Sequence, residues 1–284
     1  MTVRDALRDG VAALGGSGTP FLDASLLLGK ALGLDAAALF AAGPDDLDPG
    51  SGAAYRALLA ERSSGIPVAY LLGEKEFWGR RFRVDRRVLV PRPETETLVA
   101  AVLEACGDRP SLRVHEACCG SACVALSLAA ERPRWELSAS DLSEEALELA
   151  RENAELLLPT DRPGGPCRFV RSDLLASVEG TFDLVAANPP YIPSGELAGL
   201  GIELRFEPRL ALDGGADGLE LYRRLVPQAR SALAPGGWIF LEADGSQAGA
   251  LRAIVEEAGF AEVSTLADLA GIERITRGRL PWKT

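Results

Sequence analysis

The residues best placed to do chemistry are the four of N-P-P-Y, Asn188 to Tyr191, directly after the apolar run F-D-L-V-A-A, Phe182 to Ala187. The Asn188 side-chain oxygen and the Pro189 carbonyl are both acceptors, and Pro189 and Pro190 stiffen the turn that holds them. With Tyr191 as a flat wall they form a clamp for a planar NH2 group, whether amide, amine or guanidine. An amide nitrogen needs such help, because its lone pair is shared with the carbonyl through a resonance reflected in the ~18–20 kcal/mol rotation barrier. Gripping both N–H bonds favours charge on nitrogen and aims it at an electrophile, where positioning alone supplies roughly 7–11 kcal/mol.

The electrophile has its own candidate residues upstream. The run V-H-E-A-C-C-G-S-A-C-V-A-L places a loop at residues 116–122 between a strand and a helix, the junction where parallel sheets gather ligands. Cys118, Cys119, Gly120, Ser121 and Ala122 are all small enough for close approach to the backbone. Asp141, followed by Leu142, lies roughly 20 residues beyond the loop, the distance at which a carboxylate accepts hydrogen bonds from ribose hydroxyls. Asp173, in R-S-D-L-L with Leu174, either accepts from an adenine amino group or caps a helix. The set fits a nucleoside-containing cofactor.

The elements that must position these groups fall into three stretches. Residues 1–66 read as short helices with apolar residues every three or four positions, a small helical domain. Residues 67–96 turn aromatic and β-branched around Gly79, as a hairpin linker does. From residue 97 to 284 helix and strand alternate, the signature of a layered α/β domain with a mostly parallel sheet. Strands are predicted at Leu112–Glu116, Glu136–Ser140, Cys167–Arg171, Phe182–Ala187 and Trp238–Ala243, with a closing antiparallel pair at Glu262–Leu266 and Ile272–Arg277. Ser143 is the expected N-cap of the helix after Asp141.

Composition narrows the partners. The net charge of −11, from 41 acidic and 30 basic residues, opposes tight binding to phosphate backbones, so nucleic acid is not an expected direct substrate. The five cysteines lack the separated pairs and neighbouring histidines of a zinc site, so no metal is expected and the thiols are read as small buried groups. His115, the only histidine, argues against a histidine dyad. The start, M-T-V-R-D-A-L-R-D-G, shows neither an apolar signal segment nor a membrane span, so a cytoplasmic chain is expected.

Several stretches together resemble the HemK/PrmC family of S-adenosylmethionine-dependent methyltransferases. They are I-P-V-A-Y-L-L-G-E-K-E-F-W (66–78), V-L-V-P-R-P-E-T-E (88–96), S-D-L-S-E-E-A-L-E-L-A-R-E-N-A (140–154), N-P-P-Y-I, F-E-P-R-L-A-L-D-G-G-A-D-G-L (206–219) and D-L-A-G-I-E-R-I-T-R-G-R (268–279). N-P-P-Y occurs in several amino-methyltransferase families, and the P-R-P-E-T-E and E-P-R-L-A-L-D-G-G segments make the likeness specific. The resemblance implies a Rossmann-like class I methyltransferase domain with a mostly parallel seven-stranded sheet. It also implies methylation of the side-chain amide of the Gly-Gly-Gln glutamine in peptide chain release factors.

By the same resemblance residues 118–122 wrap the methionine part of the cofactor, and Asp141 binds ribose. Asp173 and Leu174 border adenine, while Asn188 to Tyr191 hold the accepting amide. Arg92 and Glu96 shape the cleft wall, and the N-terminal helices recognise the partner. Two places depart from the family pattern. The loop D-x-G-T-G-S-G is here E-A-C-C-G-S-A, and L-E-A-D-G-S-Q (241–247) stands for L-E-x-G-x-x-Q. A paralogue that methylates a free small molecule, such as the guanidine of arginine, and an idle binding protein are the competing expectations.

Overall fold

The computed structural model describes residues 1–107 and 109–282. The chain divides into two units, Met1–Lys75 with Gly201–Phe206, and Glu76–Leu200 with Glu207–Thr284.

The first unit is helical because its starts and stops are written locally. Thr2 and Asp5 form a reciprocal capping box at α1 (Val3–Ala13). Proline stands in the first turn of α2 (Pro20–Leu32), which a left-handed Gly33 ends, and in the first turn of α4 (Pro49–Ser63); α3 (Ala36–Ala41) and α5 (Val68–Leu72) are short. Leu27, Leu28, Tyr55 and Leu59 share its core. Inside it Arg62 donates to Asp23 at 2.8 Å, and both side chains are buried. Asp23 also accepts from the hydroxyls of Ser17 and Thr19, which satisfies a charge that burial would otherwise make costly. The short segment Gly201–Phe206 joins this unit through an ion pair between Glu203 and Arg62. Gly65, at φ +102°, leaves room for Ile202, which a Cβ would meet at 2.5 Å.

The predicted hairpin is β1 (Glu74–Phe77) and β2 (Arg80–Arg83), a two-stranded sheet. Its two-residue turn takes Trp78 and Gly79 at φ +51° and +66°, the pair of left-handed positions that hairpin twist favours.

The second unit is built on seven strands: β3 (Arg113–Ala117), β4 (Glu136–Asp141), β5 (Arg168–Arg171), β6 (Phe182–Ala187), β7 (Leu233–Glu242), β8 (Ala261–Ala267) and β9 (Glu273–Arg279). Their order is β5-β4-β3-β6-β7-β9-β8, parallel from β5 to β7 and antiparallel where β9 meets β7 and β8. Helices α6 (Glu96–Cys106), α7 (Cys123–Glu131), α8 (Glu144–Leu157), α9 (Glu220–Ala232) and α10 (Ala248–Glu257) accompany them.

Side chains alternate between two buried layers, as strands covered on both faces require. Leu184 and Ala186 join one core with Leu98, Leu126 and Leu147, whereas Val185 and Ala187 join the other with Leu225, Val226 and Leu251. Each fully buried Leu or Val contributes roughly 1.5–3 kcal/mol. Strand order reverses between β3 and β6, so a crevice must open at their carboxyl ends.

Local expectations fare differently. β7 starts at Leu233, well before Trp238, because the ladder resumes across A-P-G-G with a register shift against β6. Of the two readings of Asp173, the helix cap is not the one observed: the residue begins a turn in which Ala176 N–H reaches the Asp173 carbonyl at 3.1 Å. Ser143 does cap α8, accepting from Ala146 N–H at 3.2 Å.

Candidate functional site

A cavity of about 360 Å³ opens at the carboxyl ends of β3, β4, β5 and β6. Glu116, Cys118, Cys119, Gly120 and Ser121 line it from β3, Asp141 and Leu142 from β4, Asp173 and Leu174 from β5, and Asn188 and Pro190 from β6. Val88, Pro91, Arg92 and Thr95 form a further wall, and Pro208 to Ala211 another.

The loop after β3 keeps the backbone of a glycine loop without most of the glycines. Cys118, Gly120 and Ala122 stand at φ +56°, +51° and +60°, the three positions where the family pattern has glycine. The two residues with a Cβ carry left-handed strain of roughly 1–2 kcal/mol each. What holds them is local: Gly120 N–H donates to the Asp141 carboxylate at 2.9 Å, Cys119 N–H to the Ser140 carbonyl at 3.0 Å, and Ala122 is wholly buried. Asp141's second oxygen accepts from Ser143 N–H at 2.9 Å, so this carboxylate ties the loop to the start of α8. Burial pushes its pKa up.

Glu116 and His115 are both buried in β3, with opposite consequences. Burial pushes Glu116 up to about 8, its neighbour Asp141 adds to the rise, and the Ala125 N–H at 2.8 Å opposes it. His115 lies between Ser138 and Ser140 at 2.8 and 2.9 Å, and burial holds it down at about 3. Ser140 in turn donates to the Leu174 carbonyl at 3.0 Å, so the neutral ring braces the turn of Asp173 and Leu174. The histidine is therefore scaffolding.

These shifts set a stability profile. Between pH 6.5 and 8 folded Glu116 and Glu242, the latter raised to about 7 by burial, still hold protons that the unfolded chain has released. Unfolded His115 gives up its remaining proton over the same window and offsets only a small part of this. The folded state binds more protons, so stability falls as pH rises, by roughly 2 kcal/mol. Urea unfolding at pH 6.5 and 8 measures it, and Glu116→Gln is expected to flatten the fall.

On the far side of the crevice Asn188 donates its Nδ2 to the Thr95 hydroxyl at 3.1 Å, and Thr95 donates to the Glu242 carboxylate at 3.0 Å. The amide nitrogen is thus engaged, and Oδ1 remains for a ligand. Gln247 supports the same turn through the Tyr191 carbonyl at 2.9 Å. Residues 212–215 run beside it: Ile192 N–H meets the Leu212 carbonyl and Gly214 N–H the Ile192 carbonyl, at 3.0 and 2.8 Å.

This packing explains the glycines of D-G-G-A-D-G-L. A Cβ on Gly218, at φ +75°, would lie 2.2 Å from both the Tyr191 carbonyl and the Gln247 amide. Gly218→Ala is expected to cost roughly 2–4 kcal/mol through overpacking and left-handed strain, read by thermal unfolding.

Not every sequence candidate faces the cavity. Pro189 is buried behind it, and Tyr191 packs partly buried on the second core instead of presenting a wall. Glu96 accepts from Trp78 N–H at 2.7 Å and so fastens the hairpin. Arg92 does line the cavity, paired with the buried Glu207, whose carboxylate also takes Val90 N–H at 2.9 Å. Asp173 pairs with Arg224. Thr95, which lines the cavity, and Glu242, which accepts its hydroxyl from behind, form a link that the sequence does not reveal; Thr95 lies inside P-R-P-E-T-E, but nothing local tells which of its residues faces the asparagine.

A doubly wound sheet, with its cavity at the switch point and an Asn-Pro-Pro-Tyr turn after the fourth parallel strand, defines a Rossmann-like methyltransferase. The hMettl16 catalytic domain, solved in complex with the MAT2A 3'UTR hairpin 6, shares the fold: 14% identity, TM-score 0.58, covering 84% of this chain and 83% of that one. Family models for the PrmC N-terminal domain and the methyltransferase small domain match residues 5–73 and 95–200. The release factor glutamine methyltransferase of Burkholderia pseudomallei is 44% identical over 92% of both chains. That of Cereibacter sphaeroides is 43% identical over 99% of both. The chain belongs to the release factor glutamine methyltransferase family. No described helix is long and apolar enough to cross a membrane.

Proposed function

We propose that the chain methylates the side-chain amide nitrogen of the Gly-Gly-Gln glutamine in a peptide chain release factor, with S-adenosylmethionine as donor. The observation that carries this reading is the Asn188 amide, tied by its nitrogen to Thr95 at the edge of an acid-lined, nucleoside-sized cavity.

The lining suits that donor. Burial raises the carboxyl pKa of both Glu116 and Asp141, and the charge of Asp141 adds to the rise at Glu116, so a positively charged ligand beside them relieves both. Asp141 keeps lone pairs for ribose hydroxyls after accepting its two backbone bonds. Residues 118–122 cradle the methionine part, and Leu142, Asp173 and Leu174 border the base. When bound, S-adenosylmethionine supplies an electrophilic methyl group on a cationic sulfur.

The chain's own residues prepare the nucleophile. Asn188 Oδ1, on the cavity side, accepts an N–H bond of the glutamine amide, turns its nitrogen toward the cofactor side and favours the charge that gathers there as its C–N resonance is lost. As the nitrogen gains the methyl carbon the carbon–sulfur bond breaks, a neutral thioether leaves, and the nitrogen releases one of its two protons to water. Arg92 shapes the wall beside the accepting group, with Glu96 holding the hairpin behind it. The N-terminal helices, residues 1–66, recognise the release factor, and residues 67–96 link them to the methyltransferase domain of 97–284.

The test supplies S-adenosylmethionine labelled in its methyl group to the chain, together with a purified release factor or with free arginine and free glutamine. Label is expected in the Gly-Gly-Gln peptide after digestion. Label only on a free amino acid overturns the reading.

A further inference from the structure

We infer that Thr95 and Glu242 are positioning residues that set which way the Asn188 side-chain amide points, and so decide whether the site can grip a substrate amide at all. The inference rests on the methyl-transfer reading above and extends it to two residues that touch neither reacting atom.

An asparagine amide is nearly symmetric in shape, and either end fits one space. Only its hydrogen bonds choose between oxygen outward and nitrogen outward. Outward nitrogen would set a donor against the substrate's own N–H donors, and the clamp would repel what it should hold. The choice is made three residues deep. Glu242 is 2% exposed, and its Oε1 accepts the Thr95 hydroxyl at 3.0 Å. Thr95, 3% exposed, has one hydroxyl proton and spends it there. Its oxygen is then purely an acceptor, and what it accepts is Asn188 Nδ2 at 3.1 Å. Oδ1 is left to face the cavity.

Packing alone does not account for this chain of bonds. The second oxygen of Glu242 is buried with no well-formed hydrogen bond among the described residues, while the Asn188 amide also lies close enough to this carboxylate to lower its pKa, an arrangement that an apolar side chain would not provide. Thr95 stands just before α6, Asn188 just after β6 and Glu242 at the end of β7, so the arrangement is tertiary. It is also sited where amide orientation matters.

Three single variants, one double variant and one spectrum test it. Thr95→Val keeps the shape and removes the hydroxyl; it is expected to lower kcat about 100-fold while KM and the cofactor Kd stay within about threefold. Thr95→Ser restores the hydroxyl and is expected to recover turnover to within about fivefold of the parent. Glu242→Leu removes the terminal acceptor and frees the Thr95 hydroxyl to donate to the asparagine oxygen. It is expected to fall with Thr95→Val, and the double variant to be no worse than either alone. In NMR the Asn188 side-chain NH2 protons are expected to exchange slowly with water in the parent and Thr95→Ser, and fast in Thr95→Val, whether or not cofactor is present.

Parent-like kcat in Thr95→Val overturns the inference. So does a loss that Thr95→Ser shares and that appears in cofactor Kd, or an Asn188 NH2 signal unchanged by Thr95→Val. If Thr95→Val does not fold, Glu242→Leu and the spectrum of Thr95→Ser decide by the same criteria. A parent protein that moves no methyl to glutamine condemns the methyl-transfer reading instead, and the spectrum still reports on the amide.

Discussion

Asn188→Ala is expected to lower turnover about 100- to 1,000-fold and to leave the affinity for S-adenosylmethionine within about threefold, as the loss of one preorganised polar contact to a reacting group does. The asymmetry follows from where Asn188 stands. Its nitrogen is tied to Thr95 at 3.1 Å on the β6 side of the crevice, while Gly120 and Asp141, the groups proposed to meet the cofactor, come from β3 and β4. Alanine leaves those untouched. It removes an acceptor that matters most when the substrate nitrogen is losing its resonance with the carbonyl, so the loss falls on the transition state and not on either ground-state complex. Asn188→Asp is the sharper companion: it keeps an oxygen toward the substrate but sets a second carboxylate near buried Glu242, which already holds its proton up to about pH 7. Its activity is expected to depend on pH more steeply than the parent's. Single-turnover rates with calorimetric Kd values separate the two quantities, and equal losses in both contradict the assignment.

How much of this is legible in the sequence depends on how far apart the interacting residues lie in the chain. Phe182–Ala187 reads as a buried strand because every residue needed for that conclusion is adjacent, and the observed strand has the same limits. The start of β7 is hidden by Pro235, Gly236 and Gly237, which read as a turn although the strand passes through them with a shift of register. The cofactor loop looks weakened by its lost glycines, since composition reports what a residue prefers and not what its neighbours enforce. The observed backbone is left-handed at Cys118 and Ala122 all the same. Nothing in the sequence ties Arg62 to Glu203, which are 141 positions apart, or Thr95 to Glu242, 147 apart. Such pairs are created by the fold, and they are the ones that give the helical unit its inserted segment and the asparagine its orientation.

Asp141→Ala is expected to act on the opposite side of the crevice and with the opposite signature, raising the Kd for S-adenosylmethionine about 100- to 1,000-fold while turnover at saturating cofactor falls much less. Two losses combine. A carboxylate that accepts ribose hydroxyls makes charge-assisted bonds of about 1.5–3 kcal/mol each. The same two oxygens also hold Gly120 N–H and Ser143 N–H at 2.9 Å, and without them the left-handed turn at Cys118 and Ala122 loses a tie that offsets its strain. Asp141→Asn separates the two. An amide has one acceptor for two backbone donors, so whichever way it turns, its NH2 faces an N–H of Gly120 or Ser143. Conservative as it looks in size, it is expected to lose most of the affinity that alanine loses. Calorimetric titration of both variants decides the matter, and an asparagine variant that binds like the parent shows that the carboxylate's charge and its second acceptor have no part in holding the cofactor.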